Sequence, residues 1–529
     1  MDSLFRRVAF WVLGSIAGIT GSIIILRAFI GPLPMHINSP MNAESAFGFA
    51  IISMLLARSA ANEDTTEIPQ HKVWQNFVFA AALVLITAAA FRRTVNFYFL
   101  SDDFILLKYA NVRPDLRALF STGGGDGFFR PVGYLSLALN SLWASLDPAF
   151  WHASSVTLHV INVLLVFALS LQIGSSRIAA FFAAILFSVH GSRPEAVAWI
   201  ASHFDRISTF FVLCGLVLFA QSLKKARHPA VWRILSLACM VLAILSKESA
   251  YTFPFLLLLF MVLSREGGRP GRNSGLEARA PGNFRILIPF FAVAALLFAW
   301  RWILVGGIGG YRDLQTGRPM AAVVRFIPAV KVLFFRLWAV LFFPVNWKIQ
   351  PGLVVSIFLA CCILALFRIS AARISRKRLV FSLGFVLITA LPPLHLLLIG
   401  SDLQGARLLY LPSVGFCLLL AIAAEKTSPR MRFVLPVLLI AFQWAALGHN
   451  LERWEYASKK AKAACAAAVQ CKSPAAANAE VLGLPGSLDG VYFFKNGFPE
   501  CIEMQHEAAK KAGRLVWDPF NRELRCVSP

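Results

Sequence analysis

Charge is what this sequence has least of, and acidic charge is the scarcest kind. Only 15% of its 529 residues are charged, and 27 are Asp or Glu against 51 Lys or Arg. With 58% hydrophobic residues, 46 Phe and a mean hydropathy of +0.66, the chain has the composition of a polytopic membrane protein, one whose solvent is mostly lipid. Several familiar signatures are also missing. No phosphate-binding loop, no GxGxxG and no nucleophile elbow is present, which removes the P-loop, Rossmann and α/β-hydrolase readings. No heptad or long-period repeat marks a coiled coil or solenoid. No CxxC or His pair accompanies the cysteines, so a zinc site is disfavoured.

What is present is a series of membrane-length apolar runs. Val8–Leu26 carries no charge over nineteen residues, and similar runs occur at 74–91, 207–223, 249–264, 286–300, 352–367, 379–401, 408–424 and 433–448. A helix needs about 20 such residues to cross a hydrocarbon core. The run at 153–173 contains only His159, whereas 178–189 and 234–245 are short, and 45–57 is weakly apolar. Twelve or thirteen spans follow. Val8–Leu26 is longer than the core of a signal peptide and lacks a clear cleavage site, so it reads as a retained span.

The formal charge of +24 does not point to nucleic acid, because Lys and Arg cluster in short loops between apolar runs. Such clustering marks cytoplasmic loops. Arg6, Arg7, and the loops 224–233, 265–285, 368–378 and 425–432 fall on that side; 92–150, 190–206, Lys247–Glu248, 306–350, 399–407 and the tail from 450 fall on the other, with 323–347 read as re-entrant. Arg92 and Arg93 run against the pattern. Five of the nine cysteines lie in apolar runs, and Cys465, Cys471, Cys501 and Cys526 lie in the tail. An even set on the outer side predicts up to two disulfides, for which spacing admits Cys465–Cys471 with Cys501–Cys526.

Ionisable groups near a bilayer are costly and usually functional, which singles out a few polar stretches on the outer side. FYFLSDD places Asp102 and Asp103 together just past an apolar run. Arg130 precedes Pro131 at the start of an interfacial helix, where a snorkelling Arg is the bland alternative. In SVHGSRPEAVAWIASHFDR, a helix begun at Pro194 puts Glu195, Trp199, Ser202 and Arg206 on one face, with Asp205 about 80° away. A Glu–Arg ion pair would account for two of them structurally. His190 is a candidate metal ligand or a hydrogen-bonded structural histidine. Lys247 and Glu248 form the tip of a helical hairpin, and Arg407 opens a later span with Tyr410 one turn on. In the tail, an Ala- and Lys-rich helix at 456–470 precedes LPGSLDGVYFFKNGFPECI, read as break, strand and KNG hairpin turn, with no catalytic constellation.

These motifs together resemble the GT-C integral-membrane glycosyltransferases that use polyprenyl-phosphate sugars, and in particular the transmembrane part of the tetratricopeptide-repeat-containing O-mannosyltransferases. The shared pieces are SDD at 101–103, FRP at 129–131, the stretch 187–208, LSKE at 245–248 and ARLLYLPSVGFCLLL at 406–420, in register over about 75–450. The chain departs from that pattern in His190–Gly191, where the family has His-Pro, and in His203–Phe204–Asp205, where it has Arg-Ala-Asp. A short Cys-containing tail stands where the family has its repeats. The resemblance implies an all-α polytopic membrane protein. It would be a GT-C-like bundle of about 12–13 transmembrane helices with a small α+β outer-side C-terminal domain. Its parts are N-terminal membrane segments at 1–73, a catalytic domain at 74–449 and an extracytoplasmic domain at 450–529.

The implied reaction is transfer of mannose or a similar hexose from a polyprenyl-phosphate donor to an extracytoplasmic protein or glycan hydroxyl, with inversion, in a bacterial-type plasma membrane and without nucleic acid. Such a reaction needs a carboxylate base, here Asp102 or Asp103. It also needs cations or a divalent metal, Mg²⁺ or Mn²⁺, against the departing phosphate. Arg130, Glu195, Asp205, Arg206, Lys247, Glu248, Arg407 and Tyr410 are the expected substrate contacts, and Asp103, Glu195 and His190 the expected metal ligands. The rival classes are a transporter or flippase, which should show internal repeats, and a non-catalytic scaffold.

Overall fold

The computed structural model describes residues 70–111, 119–120, 127–223, 228–265, 284–310, 326–346, 376–425 apart from 398 and 401, 431–472, 483–504 and 511–527 apart from 513. The expected spans at Val8–Leu26 and 352–367, the segment 45–57, Arg6 and Arg7, and most of the loops 123–127, 265–285, 368–378 and 425–432 lie outside those residues.

Helix α1 (Gln70–Phe91) leads through a 3-10 turn, Arg92–Asn96, to α2 (Asp102–Asn111). Next come α3 (Pro131–Ala144) and α4 (Pro148–Gln172), each with Pro in its first turn, where the missing N–H has no intrahelical partner to lose. Asp147 caps α4 by accepting from Ala149 N at 2.9 Å. Then follow α5 (Arg177–Val189), the short α6 (Arg193–Val197), α7 (His203–Leu223), α8 (Pro229–Ser246), α9 (Phe253–Arg265) and α10 (Ile288–Val305). Gly306, at φ +69°, ends α10 in the left-handed conformation that glycine favours. The chain continues through α11 (Phe326–Lys331) and α12 (Leu337–Phe342), joined by a π-helical turn, to α13 (Arg376–Ala390), α14 (Pro412–Glu425) and α15 (Met431–Gln470).

The result is an all-α integral membrane protein with a few short strands near its C-terminus. Five described helical segments are long and apolar enough to cross a membrane: Trp74–Asn96, Pro148–Gln172, Ile200–Leu223, Pro229–Ser246 and Phe284–Val305. Arg177–Val189, Glu248–Val262 and Pro412–Glu425 are shorter apolar helices. One expected span differs. The run at 379–401 is not one helix, because α13 ends at Ala390, just before Pro392–Pro393, whose rings and missing N–H groups stop it. The 326–342 stretch, read from the sequence as re-entrant, forms two short helices joined through the π-helical turn. Helices approach closely where residues are small: a Cβ on Gly415 of α14 would stand 2.7 Å from Ser382 O of α13.

Charges collect at the helix ends. At the C-terminal end of α14, Glu425 accepts from Arg378 at 2.7 Å and from Ser176 N at 3.0 Å, and all three belong to the neighbourhood of the basic loops. The acidic and basic motifs expected on the outer side meet at the N-terminal end of α14.

Helix α15 runs unbroken through position 450, so the expected boundary there falls inside a 40-residue helix, and the Ala- and Lys-rich stretch at 456–470 is its last part. Beyond it lie β1 (Cys471–Lys472), β2 (Ser487–Leu488), β3 (Val491–Tyr492), α16 (Phe498–Glu503), β4 (Lys511–Ala512), β5 (Arg514–Asp518) and β6 (Glu523–Val527). The strands pair β1 with β4 in parallel, and β2 with β3 and β5 with β6 antiparallel. The β2–β3 turn is Asp489–Gly490, with φ of +48° and +86°, the pattern of a two-residue primed turn. The hairpin signal is therefore LDG, and KNG instead leads into α16, with Gly497 at φ +83° as its N-cap.

Cys465 pairs with Cys501 and Cys471 with Cys526, at Cα separations of 5.9 and 5.6 Å, so α16 and β6 are tied to the end of α15. Both differ from the pairing that spacing admits, because sequence separation carries no information about which hairpin folds back on the helix. Peptide mapping of non-reduced protein should recover Cys465–Cys501 and Cys471–Cys526; a Cys465–Cys471 peptide would contradict the fold of this module. The bridges close loops of 36 and 55 residues, and removing either should cost about 2–5 kcal/mol.

Candidate active site

A cavity of about 790 Å³ opens where α2, α3, α7, the α8–α9 turn, α10 and the segment before α14 converge. Asp102, Arg130, Asp205, Lys247, Glu248, Arg301, His395, Arg407 and Asn496 line it, beside apolar Tyr109, Phe128, Phe255 and Phe298. Phe291 lies between this cavity and a second, apolar one of about 390 Å³ walled by Leu258, Phe284, Leu287 and Ile288.

The two adjacent aspartates have different surroundings. Asp102 faces the cavity, where its Oδ1 accepts from Asn496 Nδ2 at 2.7 Å. Asp103 is 1% exposed and turned away: its Oδ2 accepts from Leu100 N at 3.0 Å and its Oδ1 from Ala201 N at 2.8 Å. Burial pushes the Asp103 carboxyl well above the usual carboxylate range, against those two N–H donors. Asp103 thus fastens the start of α2 to the α6–α7 linker, and its expected catalytic and metal roles do not fit its position.

The expected continuous helix from Pro194 breaks. α6 ends at Val197, Trp199 is extended at φ −87° and ψ 121°, and a 3-10 turn precedes α7. The break leaves carbonyls without helical partners, and Arg206 supplies them. Its guanidinium donates to Trp199 O at 3.1 Å, to Ala196 O and to Ser155 Oγ at 2.8 Å, with no exposure. Arg206 is structural and does not line the cavity. Arg193, which the sequence did not single out, does similar work by donating to Phe187 O at 2.8 Å and Ser413 Oγ at 2.6 Å while packing on the rings of Phe187 and Tyr410.

Tyr410 is likewise removed from the cavity. It is fully buried, with its hydroxyl 2.7 Å from His159 Nδ1 and accepting from Asn162 Nδ2 at 3.2 Å. His190 lies deep as well, with Nδ1 2.8 Å from Ser192 Oγ and Nε2 2.7 Å from Leu341 O. Burial and then Arg193 hold its imidazole down at about 3, which keeps it neutral.

The remaining predicted residues come together as ion pairs. Arg130 grips Glu248 through two contacts of 2.9 and 2.5 Å, the bidentate geometry that strengthens such pairs. Lys247 meets Asp205 at 2.5 Å. Glu195 binds Arg407 and also accepts from Gly405 N at 2.7 Å and Ala406 N at 2.9 Å, so it holds the segment before α14 in place. Burial pushes the Glu195 carboxyl up, opposed first by Arg407; burial pushes the Lys247 ammonium down, opposed first by Asp205.

Once these pairs are formed, two charges lining the cavity have no ion-pair partner among the described residues: Asp102 and Arg301. Arg301 is 5% exposed inside α10. It donates to Ile308 O, and its Nε has no hydrogen-bond partner among the described residues. The apolar run at 286–300 stops at Arg301, where a charge reads as the end of a span. The helix instead continues to Val305 and buries it.

The three expected metal ligands do not form a metal site. The oxygens of Asp103 and Glu195 and both ring nitrogens of His190 are engaged by protein groups, and no cluster of three or more His, Cys, Asp or Glu among the described residues could hold an ion.

No protein-family model matches the chain. Among curated proteins, it is similar to the human protein O-mannosyl-transferase TMTC1, with 23% identity over 467 residues that cover 76% of this chain and 53% of the relative. It is also similar to human protein O-mannosyl-transferase TMTC4, with 24% identity over 367 residues covering 59% and 49%. Protein O-mannosyl-transferase Tmtc1 of Drosophila melanogaster matches at 31% identity over 165 residues, 31% of this chain and 19% of the relative. Among solved structures, a cryo-EM structure of arabinofuranosyltransferase AftD from mycobacteria overlaps 75% of this chain and 29% of its own, with a TM-score of 0.37 and 14% identity. The chain spans about half the length of the human relatives it matches, and the likeness to O-mannosyltransferases that its motifs carry extends across most of its own length.

Proposed function

We propose that this protein is a membrane glycosyltransferase that moves a hexose, mannose by its relatives, from a polyprenyl phosphate to a protein or glycan hydroxyl at the outer face of a bacterial-type plasma membrane. The observation that carries the reading is the pair of charges left over in one cavity, a carboxylate at Asp102 and a buried guanidinium at Arg301. The acceptor oxygen attacks the anomeric carbon as its proton passes to Asp102. The new C–O bond forms while the bond to phosphate oxygen breaks, and the polyprenyl phosphate leaves with that electron pair. Attack opposite the leaving group inverts the anomeric centre.

Arg130, Lys247 and Arg407 already carry carboxylate partners, so Arg301 is the cation best placed to hold the departing phosphate. An anion in a low-dielectric cavity is stabilised most by a cation that has no other partner. The apolar side of the cavity, reached past Phe291, suits a polyprenyl chain, as lipid-facing helices require no polar partner there.

Asp102→Asn keeps size and removes basicity, so transfer from a polyprenyl-phosphate mannose should fall by about 10²–10⁴ while thermal stability holds. Asp103→Ala should do the reverse: it leaves two backbone N–H groups unmatched and should destabilise by about 1–3 kcal/mol per group. Full activity in purified Asp102→Asn would remove the proposed base. Replacing Arg301 by Ala removes a charge-assisted contact of about 1.5–3 kcal/mol and should raise the donor KM about 10- to 100-fold. An unchanged donor KM would assign the phosphate elsewhere.

A further inference from the structure

The C-terminal disulfide module reaches into the cavity. Ser101, the residue before Asp102, has a φ of +48° and is fully buried, a conformation that a serine holds only when its surroundings impose it. Those surroundings are the segment 493–497. Ser101 N donates to Phe493 O at 2.8 Å, and Ser101 Oγ accepts from Asn496 N at 3.3 Å. A Cβ on Gly497 would lie 2.2 Å from Ser101 O, so only glycine lets the two segments approach this closely.

The grip is braced on both sides. Phe494 stacks on Phe104 of α2 with centroids 5.8 Å apart, and Tyr492 stacks on Trp199 of the cavity wall at 4.6 Å, with Arg407 over both rings. Gly490 is held so near Asp402 that a Cβ there would stand 2.3 Å from its carbonyl oxygen. The Cys465–Cys501 bridge then ties α16, directly after this segment, to the end of α15.

From this module Asn496 enters the cavity and donates to Asp102 Oδ1 at 2.7 Å. Asp102 Oδ2 accepts no hydrogen bond among the described residues. We propose that the segment Phe493–Gly497 of the C-terminal module is part of the active site, with Asn496 the positioning residue that fixes one oxygen of Asp102 and leaves the other aimed at the acceptor hydroxyl. The inference rests on the transferase reading above and adds to it a residue from a region in which the sequence shows no catalytic pattern. Positioning acts on the reacting geometry and not on donor capture, because the groups proposed to hold the donor lie on α10 and the apolar wall. Misplacement of a reacting group by as little as 1 Å can cost about 10² in rate.

The test uses the full chain in lipid nanodiscs with polyprenyl-phosphate mannose as donor. Asn496→Ala should lower kcat at least tenfold with the donor KM within twofold of wild type. Asn496→Gln, which keeps a carboxamide donor, should recover part of the loss, and Lys462→Ala, a change at an exposed position of α15 outside the site, should behave as wild type. Wild-type kcat in Asn496→Ala, in a preparation whose Asp102→Asn variant is inactive, overturns the positioning role. A wild-type protein that transfers no mannose defeats the underlying reading instead. The placement is then judged without activity: cysteines introduced by Asp102→Cys and Asn496→Cys should be joined by a short bifunctional thiosulfonate in the folded protein. Failure of that cross-link, with both cysteines reactive towards a monofunctional reagent, overturns the contact.

Discussion

A charge buried at the end of a membrane helix must be matched, because the surroundings neither hydrate nor screen it. Three ion pairs satisfy that requirement here and in doing so assemble the site. Arg130–Glu248 joins α3 to the turn before α9, Lys247–Asp205 joins the end of α8 to α7, and Glu195–Arg407 joins α6 to the approach to α14. The first and third link elements far apart in sequence, and the second ties consecutive helices together. Removing one member leaves a buried charge unmatched, a loss of about 3–5 kcal/mol in comparable pairs. Their main work is therefore architectural, and it gives Asp102 and Arg301 their distinct character, since these two have no ion-pair partner among the described residues.

The same logic explains the interior arginines. Arg193 and Arg206 sit at full burial with no carboxylate in contact among the described residues, yet each donates to carbonyl and hydroxyl oxygens: Arg206 to those that the broken helix leaves open, Arg193 to Phe187 O and Ser413 Oγ. The break at Trp199 turns the chain so that Asp205 points to the cavity while Arg206, one residue on, points into the bundle. The segment 493–497 closes the remaining side and is held there by a disulfide, so the shape of the turn at Ser101 depends on residues almost 400 positions away.

Much of this was readable in the sequence. The scarcity of acids made the few at loop edges conspicuous, and Asp102, Lys247 and Arg407 do line one cavity, with Glu195 bound to Arg407 behind it. What could not be read was direction. Adjacent residues in a helix point about 100° apart, so SDD names two candidates while only one faces the cavity. No Pro or Gly between Glu195 and His203 announces the break at Trp199, and a wheel drawn through it placed Arg206 with the substrate. Tyr410 shares its stretch with Arg407 yet falls on the buried side. Arg301 was detectable in principle as a lone charge beside an apolar run, had the run been extended past it. Asn496 was concealed by its own glycine: LDG and KNG are both turn signals, and only the packing of Gly490 and Gly497 decides which one closes the hairpin.

The central claim is that Asp102 and Arg301 divide the chemistry between them, one taking the acceptor's proton and the other holding the phosphate. The most direct measurement is a cryo-EM map of the protein with a non-transferable polyprenyl-phosphonate analogue of mannose. The account predicts the phosphonate on the Arg301 guanidinium and the anomeric carbon turned to Asp102, with the Arg130, Lys247 and Arg407 pairs intact. A phosphonate seated on Arg407 with Glu195 displaced, or an anomeric carbon facing away from Asp102, would contradict it.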